Sequence, residues 1–365
     1  NTNTRWEYMS TNADDEAERL VMSNGTYSFD LTGTAGADDT AITFISALKL
    51  DSDSRISLSN NDASNKTTLL GYQAGSLIAS GDDENTMIGH QAGLRTTGGY
   101  NTYIGADAGL GASGADQFNV GVGRSSLFAV TTGNQNTVIG NRSGLSLTTG
   151  QKNVIIGSNA GNATTDVDDT VIIGDTAAIA NMTDGADGTV AIGKSSLAAL
   201  TEGEKNIAIG FESQIYQTDG TNNTSLGYKA LRAADNGESG NVAIGSEAGM
   251  NINHASSDGN VLIGGTAGTG GAAIMTGVVA IGQNAMNSTA GNNQEGTVAI
   301  GKDALTALTE GIGNVAVGFE ALKVNTDGDY NTAIGHQALK AQAGQSGTVG
   351  NTAVGHGAAE TITTS

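Results

Sequence analysis

The sequence predicts an all-β fold, a parallel β-roll or solenoid built from about 17 short repeats. Three observations carry this. A short strand-like word ending in Ile-Gly, or a close relative, recurs from Gly71 to Gly355, seventeen times, at intervals of about 18 residues. Glycine accounts for 55 of 365 residues while proline and cysteine are absent. Proline would delete a ladder donor, so its absence suits continuous parallel pairing. Aromatic residues make up only 4% of the chain, too few for a large conventional core but suited to thin repeated layers.

The first sixty-six residues lie outside the repeat and read as a β-rich N-terminal cap or connector, leaving 67–365 as the repeat region. Segments 5–9 and 26–31 alternate like strands around Asn24-Gly25, a pair suited to a hairpin turn. Segments 41–50 and 55–59 read as further strands, separated by Asp51-Ser52-Asp53-Ser54. The single tryptophan, Trp6, falls here, as expected of a segment that closes one end of a solenoid.

Within the repeat each position has a physical reading. Asn opens the word in 12 of 17 copies, among them Asn85, Asn136, Asn241 and Asn351. The residue before the glycine is Ile, Val or Leu, and the residue two earlier is usually Val, Thr or Ile, so both point to one strand face. The residue between them is often Ala, as at Ala191, Ala243, Ala299 and Ala333. Both faces therefore lean apolar and both need cover, which a lone roll does not supply. The aliphatic pair is expected to lie between coils, with Ile209 as its test position. The third residue after the glycine is Ala or Ser in all 17 copies, as at Ala92, Ser126 and Ala338, which predicts a tight bend. Turns such as Thr131-Thr132-Gly133 follow. Each repeat reads as strand, bend, second short strand and turn, stacking into a rod of roughly 80 Å.

The words N-V-A-I-G at 241–245, N-T-A-I-G at 331–335 and T-V-A-I-G at 189–193 and 297–301 resemble the head repeats of trimeric autotransporter adhesins of the YadA type. The longer unit N-T-V-I-G-N-R-S-G-L-S-L-T-T-G at 136–150 resembles repeats of phage tail fibres, and 47–62 resembles segments that precede such repeats in tail fibres of marine phages. The resemblance implies a trimeric, left-handed parallel β-roll with three chains about one axis. The hand comes from the family, since the usual connection rule favours the right. A first residue other than Met raises the expectation that the chain begins inside a longer or processed protein. The resemblance adds the expectation of a self-cleaving C-terminal chaperone.

Charge limits the partners. With 16 Lys and Arg against 37 Asp and Glu, the chain carries −21, which repels nucleic-acid backbones and anionic membranes. No apolar run approaches the ~18 residues of a membrane span, so membrane insertion is not expected. His90, His336 and His356 each follow a word glycine and are weighed as metal ligands against polar surface positions; the latter is favoured, because Arg124, Lys194 and Asn141 take the same place elsewhere. The acidic runs Asp14-Asp15-Glu16, Asp82-Asp83-Glu84 and 166–169 lack EF-hand spacing. Carboxylate pairs for glycoside hydrolysis would have to arise in three dimensions. Gly264-Gly265-Thr266-Ala267-Gly268 is a repeat segment with no βαβ unit around it, hence no dinucleotide fingerprint. The Thr-rich turns are too irregular for an ice-binding face. Tyr72, Phe211, Tyr228 and Phe319 follow word glycines and are candidates for contact with a glycan or with another chain.

The expectation is a homotrimeric fibrous adhesion protein, a phage tail-fibre shaft or receptor-binding fibre that attaches to a host surface. Its partners would be itself and a host cell-surface glycan or protein, and its location the virion or an extracellular surface. No enzyme activity, cofactor, catalytic residue or metal ligand is assigned. The alternatives are the head of a bacterial trimeric autotransporter and, in another class, a glycan-cleaving tailspike.

Overall fold

The computed structural model describes residues 6–11, 17–23, 26–32, 44–50, 56–58, 67–78, 84–111, 114–235, 237–271, 274–288, 293–343 and 347–363. Five strands precede the repeat: β1 (Trp6–Thr11), β2 (Ala17–Ser23), β3 (Thr26–Thr32), β4 (Phe44–Leu50) and β5 (Ile56–Leu58). They form an antiparallel meander in sequence order. Ser23 stands opposite Thr26, so β2 and β3 flank the expected Asn24-Gly25 turn, which itself lies outside the described residues. The strand preceding that turn is β2 rather than β1. Its sequence A-E-R-L-V-M-S groups its polar and apolar residues instead of alternating them, so period two misses it. The Asp51-Ser52-Asp53-Ser54 linker and the Asp14-Asp15-Glu16 run also lie outside the described residues.

The repeat forms a parallel β-solenoid. Seventeen three-residue strands, from Thr68–Leu70 to Thr352–Val354, pair each with the next in one register. Their middle residues stand opposite one another, as in Val138↔Ile155, Ile155↔Ile172, Ile172↔Ala191 and Ala191↔Ala208. This middle row is the one that points inward and is buried. The aliphatic residues on either side of it face out. Ile209, expected between coils, is therefore a half-buried residue of the outer face, and its neighbour Ala208 is the buried one. The interior is narrow, so small residues and single Leu, Met or Ile side chains fill it. Where a large ring enters, glycine makes room: a Cβ at Gly109 or Gly121 would sit 2.4 or 2.9 Å from the ring of buried Tyr103.

The bend after each strand is built from left-handed backbone at fixed places. Around one rung, Gly140 has φ 141°, Arg142 54°, Gly144 52° and Lys152 56°. The word glycine is obligatory because a Cβ at Gly157 would fall 2.4 Å from the carbonyl oxygen of Gly174 in the next rung. The small third residue is buried within the bend, with Ala160 N donating back to Gly157 O at 3.4 Å. These positive φ values interrupt extended backbone, so the expected second strand does not run along the stack. Among the described residues, pairing at that place is the short pair Ala341–Ala343 with Thr361–Thr363, while the bridges Thr96↔Gly114 and Gln117↔Asn134 and the pair Gly328–Asp329 with Gly347–Thr348 fall in or beyond the turns. Backbone hydrogen bonds still cross from rung to rung, for example Gly144 N to Ala160 O at 2.9 Å.

The opening asparagines form an internal ladder. Asn136 Nδ2 donates to Gly150 O at 2.8 Å, closing its own coil. Its Oδ1 accepts from Asn153 N and Asn153 Nδ2, both at 3.0 Å. Each buried amide thus satisfies backbone groups in two rungs. At Thr170 the row changes type, with Oγ1 donating to Asn153 Oδ1 at 2.6 Å. The apolar core falls into two clusters, one ending at Ala208 and the other starting at Ala230. Between them the interior is polar: Gln214 Nε2 donates to Ser225 Oγ at 2.6 Å and to Ile207 O at 3.1 Å, and Ser213 and Ser225 share a hydrogen bond.

Candidate binding surface

The residue after each word glycine lies on the outside of the bend, and successive rungs bring these residues into a column. Several of the aromatic and histidine side chains singled out in the sequence meet there. Tyr72 stacks on His90 with ring centres 5.6 Å apart, and Phe211 stacks on Tyr228 at 5.6 Å. Phe319, His336 and His356 form a run of three, at 5.1 and 4.9 Å. A further pair, Tyr100 on Phe118 at 4.9 Å, sits at a different repeat position, immediately outside the buried Asn row. Its signal was an aromatic just before Asn101 and Asn119, residues read only as strand openers. Rings stack here because the ladder sets rungs about 4.8 Å apart, close to the spacing that aromatic pairs favour.

Charged side chains join two of these columns. Glu212 accepts from Arg232 Nε at 3.0 Å and lies 3.9 Å from Lys229 Nζ. Arg232 also donates from Nη2 to Tyr216 Oη at 3.1 Å, with its guanidinium over that ring. Lys229 Nζ lies over the Tyr228 ring, 4.9 Å from its centre. Beside the other column, Glu320 takes Lys323 Nζ at 2.7 Å, Lys340 Nζ at 2.6 Å and Gln337 Nε2 at 2.9 Å. The hydrogen bond from Lys323, followed by those from Lys340 and Gln337, holds the Glu320 carboxyl down at about 2.

The histidines do not converge on a common centre. His90 Nδ1 lies 3.5 Å from Asp107, and His336 and His356 lie face to face. Among the described residues, no three His, Asp or Glu side chains are placed to hold a metal ion. In the acidic stretch 166–169, Asp168 Oδ1 accepts Gln151 N at 2.7 Å and Asp187 Oδ1 accepts Asp168 N at 2.8 Å. Burial raises the Asp187 carboxyl, and the neighbouring Asp168, Asp184 and Asp169 add to the rise. These acids organise turns. A hollow of about 350 Å³ is lined by Glu310, Asp327, Asp329 and neighbouring backbone, with Asp329 Oδ1 committed to Ile312 N at 2.9 Å. Gly264 and Gly268 have φ of 135° and 51° and serve the bend. Inside the coil, Tyr103 Oη donates to buried Asp116 at 2.5 Å, and burial above all pushes the Tyr103 hydroxyl well up.

The outer strand face is the other exposed feature. Ile139, Leu226 and Ile334 are 39%, 45% and 41% exposed, members of a row that continues from rung to rung. Comparison of the chain with protein-family models, with characterised proteins and with solved structures returns no match.

Proposed function

We propose that this chain is the shaft or receptor-binding part of a homotrimeric fibrous adhesion protein, with a phage tail fibre as the favoured setting. The observation supporting this is the aliphatic outer row of the solenoid. In rung after rung the two flanking strand residues are Val, Ile, Leu or Thr, and they are only partly covered within one chain. A continuous apolar stripe of this length calls for a partner surface. A repeating partner with matching rung spacing covers it best, and another copy of the same chain is such a partner. Three copies about one axis would cover all three stripes and leave the bends and turns outward, in agreement with the adhesin and tail-fibre repeats that the words resemble. The mechanism is multivalent: a stiff rod presents identical surfaces, so individually weak contacts add through high effective concentration.

Light scattering on the native chain is expected to give about three times the chain mass of 36.5 kDa. A stable soluble monomer would overturn the assembly. Attachment is read separately, as retention of the purified fibre on susceptible cells, and absence of retention on any host surface would remove the adhesive role.

A further inference from the structure

The two ring columns joined to Lys or Arg share a plan and differ in where the second cation stands, Lys229 two residues after Gly227 but Lys323 five residues after Gly318. In the first, Lys194, Phe211 and Tyr228 follow three successive word glycines, with Glu212 after the phenylalanine and Arg232 five residues after Gly227. Six rungs later Lys302, Phe319 and His336 follow three successive word glycines, with Glu320 after the phenylalanine and Lys340 five residues after Gly335. The backbone agrees: Glu212 N donates to Lys194 O, and Glu320 N to Lys302 O, both at 3.1 Å. At each place one carboxylate anchors two cations, Lys229 and Arg232 in one case and Lys323 and Lys340 in the other.

We infer that these are two copies of a subsite for an acidic sugar, a saccharide unit bearing a carboxylate, one at Phe211, Tyr228, Lys229 and Arg232 and the other at Phe319, His336, Lys323 and Lys340. The first cluster sets two cations against one carboxylate and so carries a local excess of one positive charge, on a chain whose total is −21; in the second Asp303 also acts on Lys323, and Lys302 beside it offsets that charge. An ammonium has three donors and here commits one or none to its glutamate, so donors remain for a ligand carboxylate. The shared glutamate fixes where those cations stand, and the rings beside them offer an apolar surface to the C–H face of a sugar. Phe211 is 40% and Phe319 38% exposed. Net charge narrows the ligand further. A dense polyanion is repelled by the chain as a whole, whereas an isolated acidic unit in an otherwise neutral glycan is not. The two clusters stand about 29 Å apart along the stack, so one branched or extended glycan could engage both.

A contact between copies of the chain is the competing use of these rings. The apolar stripe suited to such a contact runs along all seventeen rungs, whereas the ring–cation clusters occupy two short stretches. That difference favours a local ligand. The inference rests on the adhesive reading for its biological use, but sugar binding is measured on the chain alone, independently of its mass or its retention on cells.

Calorimetric titration of the full chain with 3′-sialyllactose, with a glucuronyl-galactose disaccharide and with lactose tests it. At least one acidic sugar is expected to bind with a millimolar Kd and two sites per chain, and lactose at least about tenfold more weakly. Whether the sialyl or the glucuronyl probe binds identifies the source of the carboxylate. Phe211→Ala with Phe319→Ala should lower affinity about tenfold or more, and so should Arg232→Gln with Lys340→Gln, at unchanged circular dichroism and assembly mass. The proposal is overturned if neither acidic sugar binds up to about 20 mM, if lactose binds equally well, or if the variants bind like the parent. A variant that changes the assembly mass would make the rings a contact between copies and overturn it as well.

Discussion

At each word glycine the chain passes so close to the next coil that a single methyl group would strike a carbonyl oxygen. Gly210 has φ 140°, and its Cβ would lie 2.2 Å from Gly227 O. Both the backbone region and the neighbour forbid alanine, so Gly210→Ala should destabilise the fold by about 3 kcal/mol or more. Gly277 differs: φ is 64° and nothing lies within 4 Å of a Cβ, so Gly277→Ala should cost about 1–2 kcal/mol, from the left-handed backbone alone. Denaturant melts of the two variants should separate them clearly. The asparagine row gives a second contrast. Asn136→Ala leaves Gly150 O and Asn153 N buried without their partner, and a loss of about 3 kcal/mol is expected. Asn136→Thr should cost less, because Thr170 already serves in that row.

One rung consists of a three-residue strand, a bend with alternating φ signs and a turn that returns to the next asparagine. Its inner and outer faces answer differently to charge. Ala208→Asp places a carboxylate in the enclosed inner row, between Ala191 and Ser225, and is expected to abolish folding, seen as loss of the circular dichroism of the parent. Ile209→Asp points outward, so the coil should persist while the assembly mass falls. The reverse result would mean the faces have been assigned the wrong way round. Acid titration probes the bends. Glu320 is held at about 2 instead of 4.5, so the stability it contributes is full above pH 4.5 and is lost as pH falls toward 2. Wild type should therefore exceed Glu320→Gln in stability at neutral pH, and the two should converge near pH 2. Parallel acid-unfolding curves would show that the carboxylate contributes nothing.

Much of this element was legible in side-chain chemistry. Strand positions, the obligatory glycine and the small third residue each followed from a repeated pattern that only one local geometry accommodates. The direction of the strand faces was not legible, because both alternating rows are apolar and alternation names two faces without saying which is enclosed. The width of the interior decides that, and it follows from how sharply the bend closes. Four recurrent positive φ values per rung shape the coil, and in the rung from Gly210 three of them fall on Glu212, Gln214 and Asn222, where no glycine marks them. The ring columns were half legible: Phe211 and Tyr228 shared a repeat position, but their ties to Glu212 and Arg232 depend on side chains meeting across rungs.

Taken whole, the solenoid has two apolar cores separated by the polar rung around Ser213, Gln214 and Ser225. In a stacked repeat each coil depends on its immediate neighbours, so such a rung is where cooperativity should break. Unfolding is expected in two steps, with the N-terminal and C-terminal halves of the stack separating. Substituting what the neighbouring rung carries, Ala230, Leu231 and Ala243, gives Ser213→Ala, Gln214→Leu and Ser225→Ala. The left-handed backbone at Gln214, φ 49°, already suits Leu, as Leu231 at 48° shows. The triple variant should gain about 2–4 kcal/mol and merge the two steps into one. A single transition in the parent protein would refute the division.

The rung-to-rung hydrogen bonds have a mechanical consequence, since they run along the rod and not across it. Tension on the two ends of one chain loads them one rung at a time, like the teeth of a zip. Each rung that opens gives up about 5 Å of rod and releases about 60 Å of extended chain. A force–extension trace should then show evenly spaced yields of that size, with the polar rung yielding early. A fibre anchored by weak contacts would gain more than tenfold in reach before its grip was tested, which makes the shaft a shock absorber as well as a spacer.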